Sequence, residues 1–516
     1  MDKQNDFNSN FEKTEDFTEL FEDRIESTEQ LDVVNDEKTE ELIGVFSNAK
    51  VDVNNNNLSR EVHVNDFDED FSDLVRKRDY KGKVEINRHQ EEIHGKKRKL
   101  KKWVYILILI LLLGGGFGVY KVLHDKEVAR KKEEEKQIID DIKSHYNQYS
   151  KIAKDTILYE KDGSDYNEIG TIYSDVNVEL EEEEIKIDTK YFQIKDLDYY
   201  VSYEDVEEGE EQQKNTRYKN YLPFNINIIT KDKFTMNIDD NKFITLEESM
   251  EFPVIINNYE DKYYVEYHGM LVNISKDDVE KTKENKNTEK KNQTKITTLA
   301  YHRVYETGDN CTDDYVCLKK DNFDKQMKYL NENKYFTLTL NELYMYLNGN
   351  IQIEKGVVIT IDDGYLFKAA DEVLDKYGLN ATLFVASGAF KNFDQFKGLK
   401  AIDIQSHTHN MHKNYVCPGG NQGGAILCAS KAKIVEDLKL SIETLGIKPV
   451  GMAFPFYDYN DNAIVAVKEA GFKMAFIGRA GVMGRATPKS TDMYKIPRMT
   501  VWEETLMSFN TWKSYL

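Results

Sequence analysis

The C-terminal part of the chain alternates short apolar runs with amphipathic segments. Runs such as 357–361 are rich in β-branched residues, which is typical of a buried strand. Between these runs, apolar residues recur three and four positions apart, which predicts helices over 323–330, 369–377, 431–445 and 462–470. Alternating strands and helices indicate an α/β fold with a mainly parallel sheet, either open or closed into a barrel.

One stretch differs from the others because it is apolar without interruption. Residues 103–120 contain no charged side chain, begin with Trp103 and end with Tyr120. A helix of this length, at about 1.5 Å per residue, spans roughly the hydrocarbon core of a bilayer, and terminal aromatic residues suit its interfaces. The stretch has no polar face, which argues against a buried core helix, and it begins too late for a signal peptide. We expect a single transmembrane helix here.

The charges around this span predict its orientation. Six of the seven residues in 96–102 are basic, and such clusters stay on the cytoplasmic side. The N-terminus is therefore expected in the cytoplasm and the C-terminal domain outside the cell. Residues 1–50 carry fifteen acidic and five basic side chains, which indicates a disordered acidic tail. We interpret the tail first as solvated chain and second as a binding segment for a cytoplasmic partner.

Between the span and the α/β region lie two stretches of short aromatic and β-branched runs. Each ends in aromatic strands, a tight turn and an Asp-Val pair. This weak internal repeat of about sixty residues resembles bacterial SH3-like modules, which act either as wall-binding units or as spacers. The expected organisation is a tail 1–95, a basic cluster and span 96–123, a helical stalk 124–155, all-β modules 156–210 and 220–280, a linker 281–295 and the α/β domain 296–516.

Candidate chemistry begins where the apolar run 357–361 ends. Asp362 and Asp363 follow it directly, and Gly364 marks the end of the strand. Neighbouring side chains on a strand point in opposite directions, so one carboxylate can bind a metal while the other accepts a proton. Taken alone, an Asp-Gly pair is more typical of an ordinary turn.

A second motif supplies the ligands that a carboxylate alone would lack. His407, His409 and His412 lie within six residues, although the whole chain has only 10 histidines. Imidazole and carboxylate together favour zinc, with cobalt, nickel or iron as alternatives. We interpret His407 and His412 as metal ligands and His409 as a supporting or exposed residue.

These motifs, in this order, resemble the polysaccharide deacetylases, the NodB-type carbohydrate esterases. The segments that carry the resemblance are 301–304, 360–364, 380–385, 406–412, 453–460 and 496–501. The spacing of His407 and His412 resembles the branch that contains the poly-N-acetylglucosamine deacetylases. The resemblance covers 296–516 and implies a distorted, incomplete (β/α) barrel.

The resemblance also implies roles for individual residues. Asp362 would act as the general base, and a late arginine, Arg498, would orient it. The backbone amide of Phe456 would stabilise the oxyanion. The metal ligands that the resemblance implies are Asp363, His407 and His412.

The chain departs from the family pattern in two places. Ala453 and Phe454 stand where the family usually has an arginine, and no histidine follows His412 to serve as general acid. His302, on the first strand of the domain, is therefore the candidate for the acid.

Net charge and cysteine content limit the kinds of partner and the cellular compartment that suit this chain. A net charge of −22 argues against nucleic acid as a partner. All 4 cysteines lie in the predicted outer domain, where an even number suggests disulfides. Three pairings are possible, and the simplest joins Cys311 to Cys317 and Cys417 to Cys428.

The sequence thus predicts a membrane-anchored extracellular enzyme that removes N-acetyl groups from a cell-surface polysaccharide, of the peptidoglycan or poly-N-acetylglucosamine type. The alternative is a catalytically weak or inactive protein that binds cell-wall glycan. A third hypothesis is a signalling protein whose outer domain senses glycan and whose tail reports it.

Overall fold

The computed structural model describes residues 102–212, 215–285, 291–418, 422–478 and 484–516, and for 102–117 it describes the backbone alone. The acidic tail 1–95 and the start of the basic cluster lie outside the described residues. The predictions made for them therefore stay predictions.

The first described element is one long helix, α1 (Lys102–His145). It contains the predicted span 103–120, most of whose side chains are not described. Within the described part of the chain, no helix has the length and apolar character that crossing a membrane requires. The predicted stalk 124–155 is too long, because α1 ends at His145 and a strand begins at Tyr149. That strand buries alternate residues, which is the period of a strand and not of a helix.

Seven short strands form the first all-β module. They are β1 (Tyr149–Ile152), β2 (Thr156–Asp162), β3 (Asp165–Ile172), β4 (Asn177–Glu179), β5 (Tyr191–Ile194), β6 (Tyr199–Ser202) and β7 (Val206–Glu208). β1 pairs with β4 and β7, whereas β2 pairs with β3 and β6. A 3₁₀ turn, Tyr203–Asp205, precedes the last strand.

The second all-β module repeats this arrangement after a two-residue strand. The strands are β8 (Tyr221–Leu222), β9 (Ile226–Thr230), β10 (Phe234–Ile238), β11 (Asn241–Leu246), β12 (Glu251–Pro253), β13 (Ile256–Tyr259), β14 (Lys262–Tyr267), β15 (Met270–Ser275) and β16 (Val279–Glu284). β9 pairs with β12 and β16, β10 pairs with β11 and β15, and a 3₁₀ turn again precedes the last strand. The internal repeat is thus a repeat of strand pairing, while the assignment of the modules as SH3-like stays a prediction.

The two modules are fused and do not form separate beads. β3 pairs with β11, with Ile172 opposite Ile244, so one nine-stranded sheet runs through both. Their buried side chains also form a single apolar cluster, to which Leu158 and Val272 belong. Burial of a shared core favours one rigid body over two independent units.

The C-terminal region alternates helices with parallel strands. Its helices are α2 (Lys320–Glu332), α3 (Leu340–Asn348), α4 (Lys368–Tyr377), α5 (Lys431–Leu445), α6 (Asp461–Glu469) and α7 (Phe509–Ser514). Its strands are β17 (Thr297–Tyr301), β18 (Arg303–Tyr305), β19 (Cys317–Lys319), β20 (Phe336–Thr337), β21 (Gln352–Ile353), β22 (Gly356–Ile361), β23 (Ala381–Val385), β24 (Ile402–Ser406), β25 (Asn414–Val416), β26 (Gln422–Gly424), β27 (Gly451–Ala453), β28 (Met474–Ile477), β29 (Ile496–Pro497) and β30 (Met499–Thr500). The α/β prediction for this region is confirmed.

The main sheet of this domain curves into a nearly closed barrel. Its order is β29-β28-β27-β24-β23-β22-β17-β30, and every pairing along it is parallel. The edge strands β29 and β30 are consecutive in the chain, separated only by Arg498. The segment that pairs with one edge therefore continues directly into the other, which brings the two edges together at this residue.

Polar contacts join the second module to the catalytic domain. β8 pairs with β21, and Arg217, just before β8, inserts between the two bodies. Its guanidinium donates to both carboxylate oxygens of Glu342, at 2.8 and 2.5 Å, and to the carbonyl of Thr337 at 2.8 Å. Tyr221 donates to the same carboxylate at 2.7 Å. The modules are therefore docked on the barrel.

Candidate metal centre and active site

The two adjacent aspartates lie where the sequence predicts, at the carboxyl end of a central strand. β22 is buried at every residue and ends at Ile361, so Asp362 and Asp363 emerge into the mouth of the barrel. Asp363 has a φ of 73°, in the left-handed region that few residues with side chains adopt. Such backbone strain is typical of functional sites, and here it turns the two carboxylates in different directions.

Asp362 forms a buried ion pair with Arg498. The guanidinium donates to both carboxylate oxygens, at 2.7 and 2.9 Å, and to the hydroxyl of Thr360 at 3.2 Å. Arg498 has no exposed surface, and Asp362 is 1 % exposed. Burial raises the pKa of Asp362, but the charge and hydrogen bonds of Arg498, together with the neighbouring histidines, outweigh burial and leave the pKa below its ordinary value. Asp362 is consequently ionised at neutral pH.

Asp363 faces two histidines instead. Its Oδ1 lies 3.1 Å from Nε2 of His412 and 3.6 Å from Nε2 of His407. His407 follows β24 directly, and its Nδ1 donates to the carbonyl of Ala453 at 2.8 Å. Because a carbonyl only accepts, this contact places the proton on Nδ1 and turns the Nε2 lone pair toward Asp363.

The charges in this cluster suit a cation. Burial lowers the pKa of His407 to about 4, so its ring is neutral at physiological pH. Burial also raises the pKa of Asp363, but the contact with His412 and the neighbouring histidine charges outweigh burial and keep this pKa well below its ordinary value. Burial lowers the pKa of His412, but its contact with Asp363 outweighs this and raises the pKa overall. One carboxylate and two imidazoles therefore converge, with one possible ligand atom of each residue in a single cluster.

These three residues fit a divalent ion. Their ligand atoms all lie within 4.8 Å of one another. On a tetrahedral zinc with bonds of about 2.0–2.1 Å, ligand atoms stand roughly 3.3–3.5 Å apart, close to the two distances from Asp363. The Oδ1 atom of Asp363 is buried, and within the described residues only the ring of His412, at 3.1 Å, comes near enough to donate to it, without the alignment of a hydrogen bond. A buried carboxylate oxygen without a donor is costly unless a cation satisfies it.

The structure also brings the candidate acid to the same site. Nε2 of His302 lies 4.0 Å from Oδ2 of Asp362, and its Nδ1 is buried without a hydrogen-bond partner in the described structure. His302 therefore lies beside Asp362, after the end of β17, the strand that pairs with β22.

Phe456 contacts one of the two candidate histidine ligands. Its ring stacks on His412 with the ring centroids 4.7 Å apart, and its backbone φ is 55°. Nearly half of the side chain is exposed, at 45 %. Phe456 thus lies against His412 and is partly open to solvent.

His409 is not among the ligand atoms. Its Nδ1 lies 2.9 Å from the hydroxyl of Ser387, which turns the ring away from the cluster. Both predicted local disulfides, Cys311–Cys317 and Cys417–Cys428, are present. The second one closes the hairpin β25–β26, where Gly424 lies beside Phe456. The loop that follows the histidines therefore borders the site.

Several contributors to the site are absent from the sequence-based prediction. Tyr457 is one: its hydroxyl bonds Thr500 at 3.0 Å and its ring lies 5.3 Å from the Arg498 guanidinium. The carbonyl of Ala453 is another, and a backbone group leaves no trace in a motif of side chains. Asp437 is a third, and it offered a signal, because it is an acid on the apolar face of a predicted helix.

Three solved structures illustrate what this chain is similar to. A de-N-acetylase from Aggregatibacter actinomycetemcomitans is 22% identical over 43% of this chain and 100% of its own, with a TM-score of 0.37. IcaB from Ammonifex degensii is 22% identical over 43% and 97%, with a TM-score of 0.37. The putative polysaccharide deacetylase BA0330 from Bacillus anthracis is 16% identical over 66% and 99%, with a TM-score of 0.35. Likenesses of this size do not establish a shared activity.

Comparison with curated proteins finds no match. The family model of the polysaccharide deacetylases matches residues 350–475. This segment includes Asp362, Asp363 and the histidine motif, and it ends before Arg498. The chain therefore carries a domain of the polysaccharide deacetylase family.

Proposed function

We propose that this protein is a metal-dependent deacetylase that removes N-acetyl groups from a cell-surface polysaccharide of the peptidoglycan or poly-N-acetylglucosamine type. The observation that carries the proposal is the convergence of Asp363, His407 and His412 beside the Asp362–Arg498 pair, inside a polysaccharide deacetylase domain. A divalent ion held by the three ligands, zinc in the first instance, would polarise the acetyl carbonyl and acidify water.

The remaining steps, which are proton transfer and stabilisation of the oxyanion, fall to three residues of the chain. Asp362 takes a proton from the attacking water, whose oxygen forms a bond to the acetyl carbon. The amide of Phe456 donates to the carbonyl oxygen as it gains negative charge. The carbon–nitrogen bond then breaks, and His302 gives a proton to the leaving nitrogen. The products are acetate and a free amine on the sugar.

Arg498 and Ala453 position these groups. The two parallel hydrogen bonds from Arg498 fix the plane of the Asp362 carboxylate, which must stay ionised to act as a base. The carbonyl of Ala453 fixes the tautomer of His407. Polysaccharide access is consistent with the exposure of Phe456 at the mouth of the barrel.

The location of the enzyme is part of the proposal. The uncharged run 103–120 after a basic cluster supports a single membrane span with the catalytic domain outside the cell. Two disulfides in the catalytic domain suit an oxidising compartment. The spacing of His407 and His412 supports the poly-N-acetylglucosamine branch over peptidoglycan.

A second candidate is a weakly active or inactive protein that binds glycan. It is favoured by one observation, namely that Ala453 and Phe454 occupy the place of the usual arginine. The complete set of ligands and the intact Asp362–Arg498 pair favour the enzyme.

Acetate release by the full-length protein tests the proposal. Acetylated glucosamine oligomers and peptidoglycan would be supplied in parallel, with metal content measured on the same samples. Asp362→Asn should keep the metal and lose about 10²–10⁴-fold in turnover, the usual share of a general base. Asp363→Asn should lose metal as well, with partial rescue by added zinc.

The exposed Asp375→Asn offers a matched control, since it makes the same chemical change in the last turn of helix α4 and not after a strand of the barrel. Turnover of this variant should equal that of the wild type. The role assignment fails if Asp362→Asn loses metal while Asp363→Asn retains it. The enzyme proposal fails if the metal-loaded protein releases no acetate from either glycan.

A further inference from the structure

The loop that carries the metal ligands is held by one helix. Asp437, on α5, accepts the backbone N–H of His409 with Oδ2 and that of Asn410 with Oδ1, both at 2.7 Å. The side chain is buried, with 9 % exposed. Both carboxylate oxygens are thus committed to two successive amides of the segment 407–412.

One helical turn later, α5 makes a second contact, with the residue that directly precedes this segment and with a serine after β23. The hydroxyl of Ser441 lies 2.8 Å from that of Ser406 and 3.2 Å from that of Ser387. Ser406 in turn accepts the backbone N–H of Thr408 at 3.0 Å. Residues four apart lie on one helix face, so Asp437 and Ser441 together form a single polar edge against the loop.

This edge holds a strained conformation. Thr408 has a φ of 72°, which is unfavourable for a β-branched residue. Strain of this kind costs about 1–3 kcal/mol and persists only when the surroundings impose it. Thr408 lies between His407 and His412, so its backbone conformation decides whether both imidazoles point at Asp363.

We infer that Asp437 is a positioning residue of the metal centre, assisted by Ser441. Asp437 contacts neither the three ligand side chains nor the opening of the barrel. It acts by fixing the backbone from which His407 and His412 project. The competing interpretation is that Asp437 only stabilises the fold, as many buried acids that cap loops do. The inference rests on the metal-binding part of the proposed function.

Zinc affinity of the folded protein distinguishes these interpretations. The full-length protein, stripped with a chelator, would compete for zinc with a chromophoric chelator at a temperature where each variant is folded. Asp437→Asn replaces one acceptor by a donor that faces an N–H, so the loop should relax. We expect the zinc dissociation constant to rise by about 10- to 100-fold, as for other residues that orient metal ligands.

Two further variants complete the test. Glu436→Gln makes the same charge change one residue away on the exposed side of α5 and should bind zinc as the wild type does. Ser441→Ala removes only a hydroxyl and should weaken zinc binding by about 2- to 10-fold, the equivalent of one hydrogen bond. If Asp437→Asn does not fold, Ser441→Ala decides.

The results separate the two proposals. Equal zinc affinity in the wild type, Asp437→Asn and Ser441→Ala overturns the positioning role, even if the melting temperature of the metal-free variants falls. Failure of the wild type to bind zinc overturns it too. Zinc binding that weakens as expected, in a protein that releases no acetate, leaves the positioning role standing and removes the proposed activity.

Discussion

Replacing Arg498 by methionine should destabilise the catalytic domain and alter Asp362 most of all. Arg498 has no exposed surface and joins the two edges of the barrel, between β29 and β30. Methionine retains the length of the side chain but removes both hydrogen bonds to Asp362 and the one to Thr360. The nearest remaining nitrogen partner would be Nε2 of His302, at 4.0 Å.

The size of the effect follows from burial. Removing one partner of a buried ion pair typically costs about 3–5 kcal/mol, because the other charge stays buried without compensation. Against a total stability of about 5–15 kcal/mol for a domain, this is a large fraction. The Thr360 hydroxyl adds little, since it also donates to the carbonyl of Leu299 at 2.8 Å.

The loss should depend on pH in a defined direction. In the folded wild type the pKa of Asp362 lies below its unfolded-state value of about 3.9. The Asp362–Arg498 pair therefore stabilises the fold fully above this unfolded-state pKa. The stabilisation is lost as the pH falls through the folded-state pKa. Without Arg498 the carboxyl loses the strongest influence that lowers its pKa, so burial, which raises the pKa, weighs more heavily. The deficit of Arg498→Met is therefore largest near neutral pH and shrinks toward about pH 4, where the carboxyl is protonated.

A double-mutant cycle in urea measures the coupling. Unfolding of metal-free wild type, Arg498→Met, Asp362→Asn and the double variant would be followed by tryptophan fluorescence, to which the buried Trp512 contributes. We expect the double variant to be more stable than the sum of the single losses predicts, by about 2 kcal/mol or more. Additivity within about 0.5 kcal/mol, or a deficit that does not change with pH, would refute the reasoning. If Arg498→Met does not fold, Arg498→Lys keeps the charge but loses the fork and should show the same trend at smaller size.

Three more predictions concern other parts of the chain. Arg217→Ala should lower the free energy of unfolding by about 1–3 kcal/mol, because it leaves Glu342 buried without its cation; an unchanged urea midpoint would contradict the docking of module and barrel. Replacing Cys417 and Cys428 by serine should lower the free energy of unfolding by about 2–3 kcal/mol and reduce acetate release. Peptide maps of the unreduced wild type should show this disulfide, and four alkylatable thiols would contradict it. Protease added to intact cells should remove the catalytic domain and spare residues 1–95, and a protected C-terminus would rule out the proposed topology.

The pattern of apolar and polar residues predicted which strands and helices position the site more accurately than it predicted where the elements of the chain begin and end. The candidate ligands Asp363 and His407 stood out because each follows an apolar run that ends in polar residues. These runs form strand β22, which is buried throughout, and strand β24, which is buried in part. Helix α3 was missed although it begins with a capping box, Thr339 with Glu342, and ends at Gly349 with a φ of 78°. The signal was present, but the helix is short and Tyr-rich, and its apolar positions do not stand out from their surroundings.

The supporting contacts were harder to predict, because they depend on distances in the fold and not on spacing in the chain. Asp437 reaches His409 and Asn410 across 28 and 27 residues. Nothing in the sequence shows which loop lies opposite a given helix turn. An acidic residue on the apolar face of a helix does indicate a buried hydrogen-bond partner. Hydrophobic periodicity does not identify which residue that partner is.

Arg498 shows why the last part of the chain matters to chemistry near residue 362. The two residues are 136 positions apart, and they meet only because Pro497 pairs with β28 while Met499 pairs with β17. A residue between two such pairings must sit at the join of the sheet. If the barrel opened at this join, Asp362 would lose its only arginine partner among the described residues, and its charge would be buried alone. Closure of the barrel and ionisation of Asp362, the proposed general base, are therefore coupled through one side chain. A change that opens the join should reduce turnover before it removes metal.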